Sequence, residues 1–268
     1  DESLDPAFRA LCLQLPGEDD MAQTIHAMGR VPDPARIHAA RREMAGALAI
    51  RLGEGLRRLY DALDDGLPFT PSAAQAGRRA LRLAALALLT RRDGGKQAAR
   101  AFAEARSMTE EIGALSALLE IGLGEAELAD FAARWGDDRN VMDKWFALQI
   151  TRAAPDAAVP LTQTLTGHPD FDWKTPHRFR AVIGSLAANH AGFHHRSGAG
   201  YRLLADWLIR LDPLNPQTAA RMSTAFETWP RYDAARRKLV KRELQRMLAV
   251  PDLSADLREM VERLMAAG

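Results

Sequence analysis

One cysteine, Cys12, is all the thiol chemistry that 268 residues contain. A lone cysteine excludes an intrachain disulfide and any metal cluster built on several thiolates. It fits a reducing compartment, and Cys12 is expected to be buried as a small hydrophobe. Excess charge of one sign is also lacking. With 36 basic and 35 acidic residues the formal net charge is +1, which gives no reason to expect a nucleic-acid or anionic-membrane partner. Long hydrophobic runs are missing too. The richest stretch, Leu81 to Leu89 (LRLAALALL), is about half the ~18 residues that a membrane span needs. The opening DESLDPAF has neither the charge nor the apolar core of a signal peptide, so a cytoplasmic location is expected. It has no initiator Met either and reads as the start of a cut piece. No Gly-x-Gly-x-x-Gly, Walker or Gly-x-Ser-x-Gly pattern occurs.

What is present is helix after helix, with no convincing strand. Proline suits the first helical position because its missing N–H is not needed there, and a preceding Asp, Asn or Thr can cap the free amides. Asp5-Pro6, Asp33-Pro34, Thr175-Pro176 and Asn215-Pro216 have this form. Ser107 and Ser254 are further cap candidates, Ser107 with Glu110 at capping-box spacing. Apolar periodicity predicts helices over 7–14, 18–28, 34–64, 72–92, 95–106, 109–121, 125–135, 138–153, 157–167, 176–189, 198–211, 216–228, 231–249 and 254–266. Connections are short, so neighbours should pack as antiparallel pairs. The expected fold is all-α: a superhelical α-solenoid, HEAT- or armadillo-like, with degenerate repeats. The least regular segments, 64–72 and 166–175, are hinge candidates. Neither is long enough to divide the chain into independent domains.

Candidate chemistry begins with His190-Ala-Gly-Phe-His194-His195. Two imidazoles four apart share a helix face, as in zinc hydrolases with an H-E-x-x-H motif. Here Ala191 stands where the Glu base belongs, and no other histidine is followed by Glu. The segment reads instead as a helix-terminal cluster whose rings bond backbone carbonyls. Arg231–Arg246 carries seven Lys or Arg against two acids. A stripe of Tyr232, Ala235, Leu239, Val240, Leu244 and Met247 would bury one face and leave those charges wet. Arg180, in Arg178-Phe-Arg180, and Arg221, one and a half turns into the Asn215-Pro216 helix, read in isolation as surface or inter-helix arginines.

Several stretches taken together resemble bacterial alanyl aminopeptidases (the aminopeptidase N family of zinc gluzincins) in their C-terminal domain. They are Leu4-Asp-Pro-Ala-Phe8, Met108-Thr109 with Ala114-Leu-Ser-Ala-Leu118, and Val141-Met-Asp-Lys-Trp-Phe-Ala-Leu-Gln149. After these come Arg178-Phe-Arg180 with Gly184-Ser185, Phe193-His194 with Gly198 and Gly200-Tyr201, Asn215-Pro-Gln217 with Arg221, and Arg231-Tyr-Asp-Ala234. They keep the family's order over essentially the whole chain. The resemblance implies that 1–268 is a single C-terminal helical domain of a larger aminopeptidase, with the catalytic zinc domain outside this chain. Zinc would belong to the parent enzyme and none to this chain. The partners would be the catalytic domain of the same polypeptide and peptide substrates, with no nucleic acid and no membrane. The domain would cap the active-site cavity, gate access and help anchor peptide. By motif match the substrate-binding residues would be Arg180 and Arg221, with no catalytic residue here. Two departures stand out: Ser107 where the family has Asn, and His195-Arg196-Ser197 where its loop is acidic. The alternatives are a free-standing helical-repeat scaffold for a protein or peptide and a helical-repeat nucleic-acid protein.

Overall fold

The computed structural model describes residues 3–64 and 66–268, and within them every regular element is helical. Asp1 and Glu2 of the amino-terminal reading, and Asp65 of the irregular 64–72 segment, lie outside the described residues. In chain order the helices are α1 (Pro6–Cys12), α2 (Glu18–Ala27), α3 (Pro34–Ala62), α4 (Ala73–Asp93), α5 (Lys96–Ala103), α6 (Met108–Glu120) and α7 (Glu125–Trp135). There follow α8 (Arg139–Arg152), α9 (Pro155–Thr166), α10 (Pro176–Phe179), α11 (Ser185–Ala188), α12 (His190–Phe193), α13 (Ala199–Leu211), α14 (Pro216–Ser223), α15 (Ala234–Leu248) and α16 (Ala255–Ala266). A π-helical turn, Arg180–Gly184, joins α10 to α11. Two compact units emerge: Asp1–Pro16 with Ala39–Asp137, and Gly17–His38 with Asp138–Gly268. Their boundaries fall in neither of the irregular segments proposed as hinges. One of those segments is anchored: Phe171 is buried edge-on against Trp207 at 5.3 Å, and Arg210 lies over both Trp173 and Trp207.

The caps mostly form as their chemistry dictates. Asp5 accepts from the Ala7 amide at 2.9 Å, Asp33 from Ala35 at 3.0 Å, Asn215 from Thr218 at 3.0 Å and Ser254 from Leu257 at 3.2 Å. Thr175 differs. Its hydroxyl donates to Asp172 at 2.6 Å and leaves the start of α10 without a side-chain cap. Ser107 accepts from the Glu110 amide at 3.3 Å, but Glu110 reaches back to the Arg106 amide, one residue beyond the capping-box position.

In the first unit, α1 packs on α4, α4 on α5 and α6, and α6 on α7. Leu81, Ala85, Leu86 and Leu89 of α4 meet Ala98 and Phe102 of α5 and Ala114, Leu115 and Leu118 of α6 in a dry interior. Cys12 is exposed, not buried. Ala10 alone is buried on α1, and a residue two positions on points some 200° round the helix, away from α4.

The second unit has the larger core, in which Phe146, Ile150, Phe179, Leu186, Phe193, Tyr201, Leu208, Trp229 and Leu257 are almost wholly buried. Asn189 pins its centre. The side-chain amide donates to the carbonyls of Ile150 and Ala153 at the end of α8, both at 2.9 Å, and its oxygen accepts from the Gly192 amide at 3.0 Å. One residue thus satisfies carbonyls that a helix end leaves open and caps the helix that follows. Gly200 lets α13 cross close to Phe193, since a Cβ there would sit 2.6 Å from the Phe193 carbonyl oxygen.

The His190–His195 segment belongs to this core. Its two buried rings bond tyrosine hydroxyls, where backbone carbonyls were expected: His190 Nε2 to Tyr232 and His194 Nδ1 to Tyr201, each at 2.9 Å. Burial pushes both phenols up, Tyr232 to about 12, so they stay protonated and able to donate. Burial, and then the charges of His190, Arg236 and Arg231, hold His194 well below 6.5. Beneath them Glu18 lies 2.7 Å from His38 Nδ1 and 3.6 Å from His190 Nδ1. The second distance is too long for a hydrogen bond. Burial raises the Glu18 carboxyl, and the His190 and His38 neighbours outweigh it, holding it at about 2 against an ordinary 4.5.

Two consequences can be measured. His194 is neutral in the fold and protonates more readily once unfolded. Its contribution is therefore complete above pH 6.5 and declines as pH falls below that value, by at most ~1.4 kcal/mol per unit. Urea titrations from pH 8 to 5 should show this slope in the parent and a flatter one in His194→Gln; equal slopes would contradict it. Glu18 works on a more acidic limb. Its depressed pKa stabilises above pH 4.5 by up to roughly 3 kcal/mol, a contribution lost as pH falls towards 2. Glu18→Gln should therefore be clearly destabilised at pH 6, with the gap to the parent closing at pH 3.

Candidate functional site

Arg178 and Arg180 are two residues apart on the run that begins at Pro176, so their side chains leave it in different directions. Arg178 is buried. Its Nη2 donates to the Arg139 carbonyl at 3.1 Å, its Nε lies 2.8 Å from Asp143 Oδ1, and its guanidinium sits 4.8 Å from the Phe146 ring centroid. It ties α10 to α8 and is spent on structure. Arg180 is only partly buried, and among the described residues its guanidinium meets one side-chain hydrogen-bond partner, His177 Nδ1 at 3.3 Å.

Arg180 opens the π turn. Such turns carry one extra residue per turn, are rare, and occur often at functional sites. Apolar spacing could not reveal this one, because Phe179, Val182, Ile183 and Leu186 read as an ordinary buried helix face. The turn ends at Gly184, where a Cβ would stand 3.2 Å from Met222 Cε and 3.6 Å from Arg180 Cβ. Glycine therefore lets α14 approach the π turn. Met222, the neighbour of Arg221, rests on the same spot as the stem of Arg180.

Arg221 is exposed on α14, whose start is set by the Asn215 cap and by Pro216 at its first position. No ion pair or side-chain hydrogen bond holds its guanidinium among the described residues. The fold thus brings the two arginine-bearing elements into contact at Gly184 and leaves both charges without a carboxylate partner. Two guanidiniums presented this way can take a carboxylate or a peptide carbonyl, bidentately where geometry permits.

The loop that departs from the family's acidic pattern finds its acid elsewhere. His195 Nε2 lies 3.1 Å from Asp156 Oδ1 of α9, beside a cavity of about 380 Å3 that also meets Arg202 and Asp206. The basic α15 segment is largely paired within its own unit: Arg231 to Asp19 at 3.2 Å, Arg236 to Asp233 at 2.6 Å, and Arg246 to Asp206 at 2.7 Å and to Glu243 at 2.8 Å. Tyr232, Val240, Leu244 and Met247 are buried as the stripe requires, whereas Ala235 is exposed and Leu239 half-buried. Ala235 lies in the first turn of α15, where the neighbouring Arg236 instead reaches the core and donates to the His194 carbonyl at 2.7 Å. Among the described residues no group of three or more His, Cys, Asp or Glu side chains is arranged to hold a metal ion. No helix there is long and apolar enough to cross a membrane.

Comparison with known proteins gives this geometry a family. The family described as "Domain of unknown function (DUF3458_C) ARM repeats" matches residues 1–266. Aminopeptidase N of Caulobacter vibrioides is 39% identical over 98% of this chain and 31% of its own length. The Haemophilus influenzae aminopeptidase N is 38% identical over 97% of the chain and 30% of its own length, and that of Escherichia coli 31% identical over 99% and 31%. The chain therefore spans about a third of these relatives. A crystal structure of Legionella pneumophila aminopeptidase A in complex with aspartic acid superposes with a TM-score of 0.89 at 27% identity, covering all of this chain and 32% of that one. The α-solenoid class expected from the helix pattern agrees with the ARM-repeat description. The chain belongs to the DUF3458_C family of ARM-repeat domains and is similar along its whole length to a one-third portion of aminopeptidase N.

Proposed function

We propose that this chain is the C-terminal helical domain of a cytoplasmic zinc aminopeptidase that releases N-terminal residues from peptides, and that it caps the active-site cavity, gates access and anchors peptide through Arg180 and Arg221. The observation that carries the reading is end-to-end similarity to one-third portions of aminopeptidase N at 31–39% identity. Residues 1–268 act as one domain in this reading, and the catalytic domain of the same polypeptide is the partner. Large apolar side chains exposed on α1 and α3 support such a partner: Phe8 and Leu11 on the one, Met44 and Ile50 on the other. Exposed apolar groups of this size commonly mark a face that another surface covers.

The zinc, which would polarise the scissile carbonyl and activate water, belongs to the absent domain. The groups present here do not fit it: His190 and His194 are turned to tyrosines in a dry core, and no base follows them in sequence. The role left to this chain is electrostatic. Arg180 and Arg221, both free of carboxylates, hold the distal part of a peptide whose N-terminus lies at the metal.

The isolated chain should have no peptidase activity on aminoacyl anilides and no stoichiometric zinc after dialysis. One tightly bound zinc per chain would overturn that assignment. In the full-length enzyme, Arg180→Ala and Arg221→Ala should each raise KM for peptides of several residues, with kcat nearly unchanged. The expected size is ~1–3 kcal/mol, since a contact equally present in ground and transition states appears in KM. A one-residue chromogenic substrate should be indifferent. Equal losses on short and long substrates would mean that the arginines only hold the fold.

A further inference from the structure

The first unit contains a cavity of about 590 Å3 between the end of α3, α4, α5 and the start of α6. Its size lies within the range of small-molecule sites. Three guanidiniums line it, from Arg79, Arg82 and Arg106, together with three carboxylates, from Asp64, Glu104 and Glu110. The charges balance by count but not by commitment. Glu104 is held by Arg100, outside the lining, at 2.9 Å. Glu110 accepts the Arg106 backbone amide at 2.8 Å at the start of α6. Asp64 receives Arg82 at 2.8 Å and Arg106 as well. Arg82 and Arg106 hold Asp64 below its ordinary range, the hydrogen bond from Arg106 being the largest cause.

Among the described residues Arg79 has no acid partner. Its contacts are neutral: the Gln75 side chain at 3.1 Å, the Thr70 carbonyl at 3.4 Å and the Phe69 ring, whose centroid is 4.7 Å away. The Nε–H groups of Arg79 and Arg82 are buried and meet no acceptor. A buried donor without a partner is costly and uncommon in native proteins. Leu83, Leu86, Ala101 and Ala105 give the lining an apolar part, and Tyr60 lies beneath Arg82 at 4.4 Å.

We infer that this cavity is a second binding site, for a small organic carboxylate with an apolar body, and that the Asp64 carboxylate occupies the place of the ligand's own. A carboxylate is planar and matches a pair of guanidiniums, as Asp64 already demonstrates with Arg82 and Arg106. Arg79, three residues before Arg82 and so on the same face of α4, adds the charge that Asp64 leaves unanswered. The apolar wall then takes the hydrocarbon part. A free acyl amino acid and a peptide's C-terminal residue both present this carboxylate group. This site lies in a different unit from Arg180 and Arg221, and the inference does not depend on their role.

Calorimetric titration of the protein with N-acetyl-leucine, N-acetyl-leucinamide and inorganic phosphate tests it. The acid should bind at least tenfold more tightly than the amide, and phosphate should not displace it. Asp64→Asn, which removes the internal competitor, should tighten the acid severalfold. Arg79→Gln should weaken it tenfold or more, and Arg180→Ala and Arg221→Ala should leave it unchanged. A need for folded variants is avoided by methyl NMR on the unsubstituted protein, where Leu83 and Leu86 should shift with the acid and not with the amide. Equal binding of acid and amide, displacement by phosphate, still methyls, or loss of binding in the Arg180 or Arg221 variants would each overturn the assignment. A C-amidated and a free-acid tripeptide ending in leucine identify the source: preference for the free acid extends the site to peptide C-termini, and no binding of either restricts it to small acids.

Discussion

Asn189 is the residue on which the second unit turns. A helical run that starts at Pro176 stops there, and the next begins one residue later. Such a break strands backbone groups, and stranded groups inside a core cost more than most side-chain contacts return. The Asn189 amide answers both sides of the break, closing the end of α8 and capping α12. With the break fixed, His190 and His194 must enter the core, and the π turn upstream must present Arg180 where α14 can pass Gly184. The polar interior and the candidate site therefore depend on one satisfied amide.

The buried histidines illustrate how low dielectric settles protonation. Tyr201 and Tyr232 remain phenols because burial disfavours their anions, and His194 remains neutral because burial and nearby cations disfavour its cation. Glu18 lies under the same pressure and resolves it in the opposite way, as a carboxylate held by two imidazoles. A sequence search for zinc ligands finds this segment first. In the folded chain its two buried rings bond tyrosine hydroxyls, His190 that of Tyr232 and His194 that of Tyr201.

Arginine is used in three ways within one chain. Arg178 is buried and engaged with backbone, carboxylate and ring. Arg82 and Arg106 share a carboxylate at a cavity wall. Among the described residues no acid answers the charge of Arg180 or Arg221. These roles are indistinguishable in composition and follow from what each helix face meets.

The sequence by itself determined the helices, their caps and the family. Helical period, Pro at first positions and Asp, Asn or Ser before them are local signals with local causes, and most helix starts agree with them. Thr175 failed as a cap because Asp172, three residues earlier, took its hydroxyl, a competition that a pattern of single residues does not encode. The arginines at 180 and 221 are singled out in the sequence by motif order alone, since no physical signal in their neighbourhoods marks them. Only tertiary structure decided the rest. It exposed Cys12, because α1 offers α4 a face centred on Ala10, and it buried His190 and His194 against tyrosines up to 42 residues away. It converted the 180–184 turn to π geometry within an unbroken apolar pattern. It also left Arg79 at a cavity wall, with no acid paired to it among the described residues. Each outcome depends on which groups remain unpaired when separate helices meet, and pairing across space is a property that no local window of sequence contains.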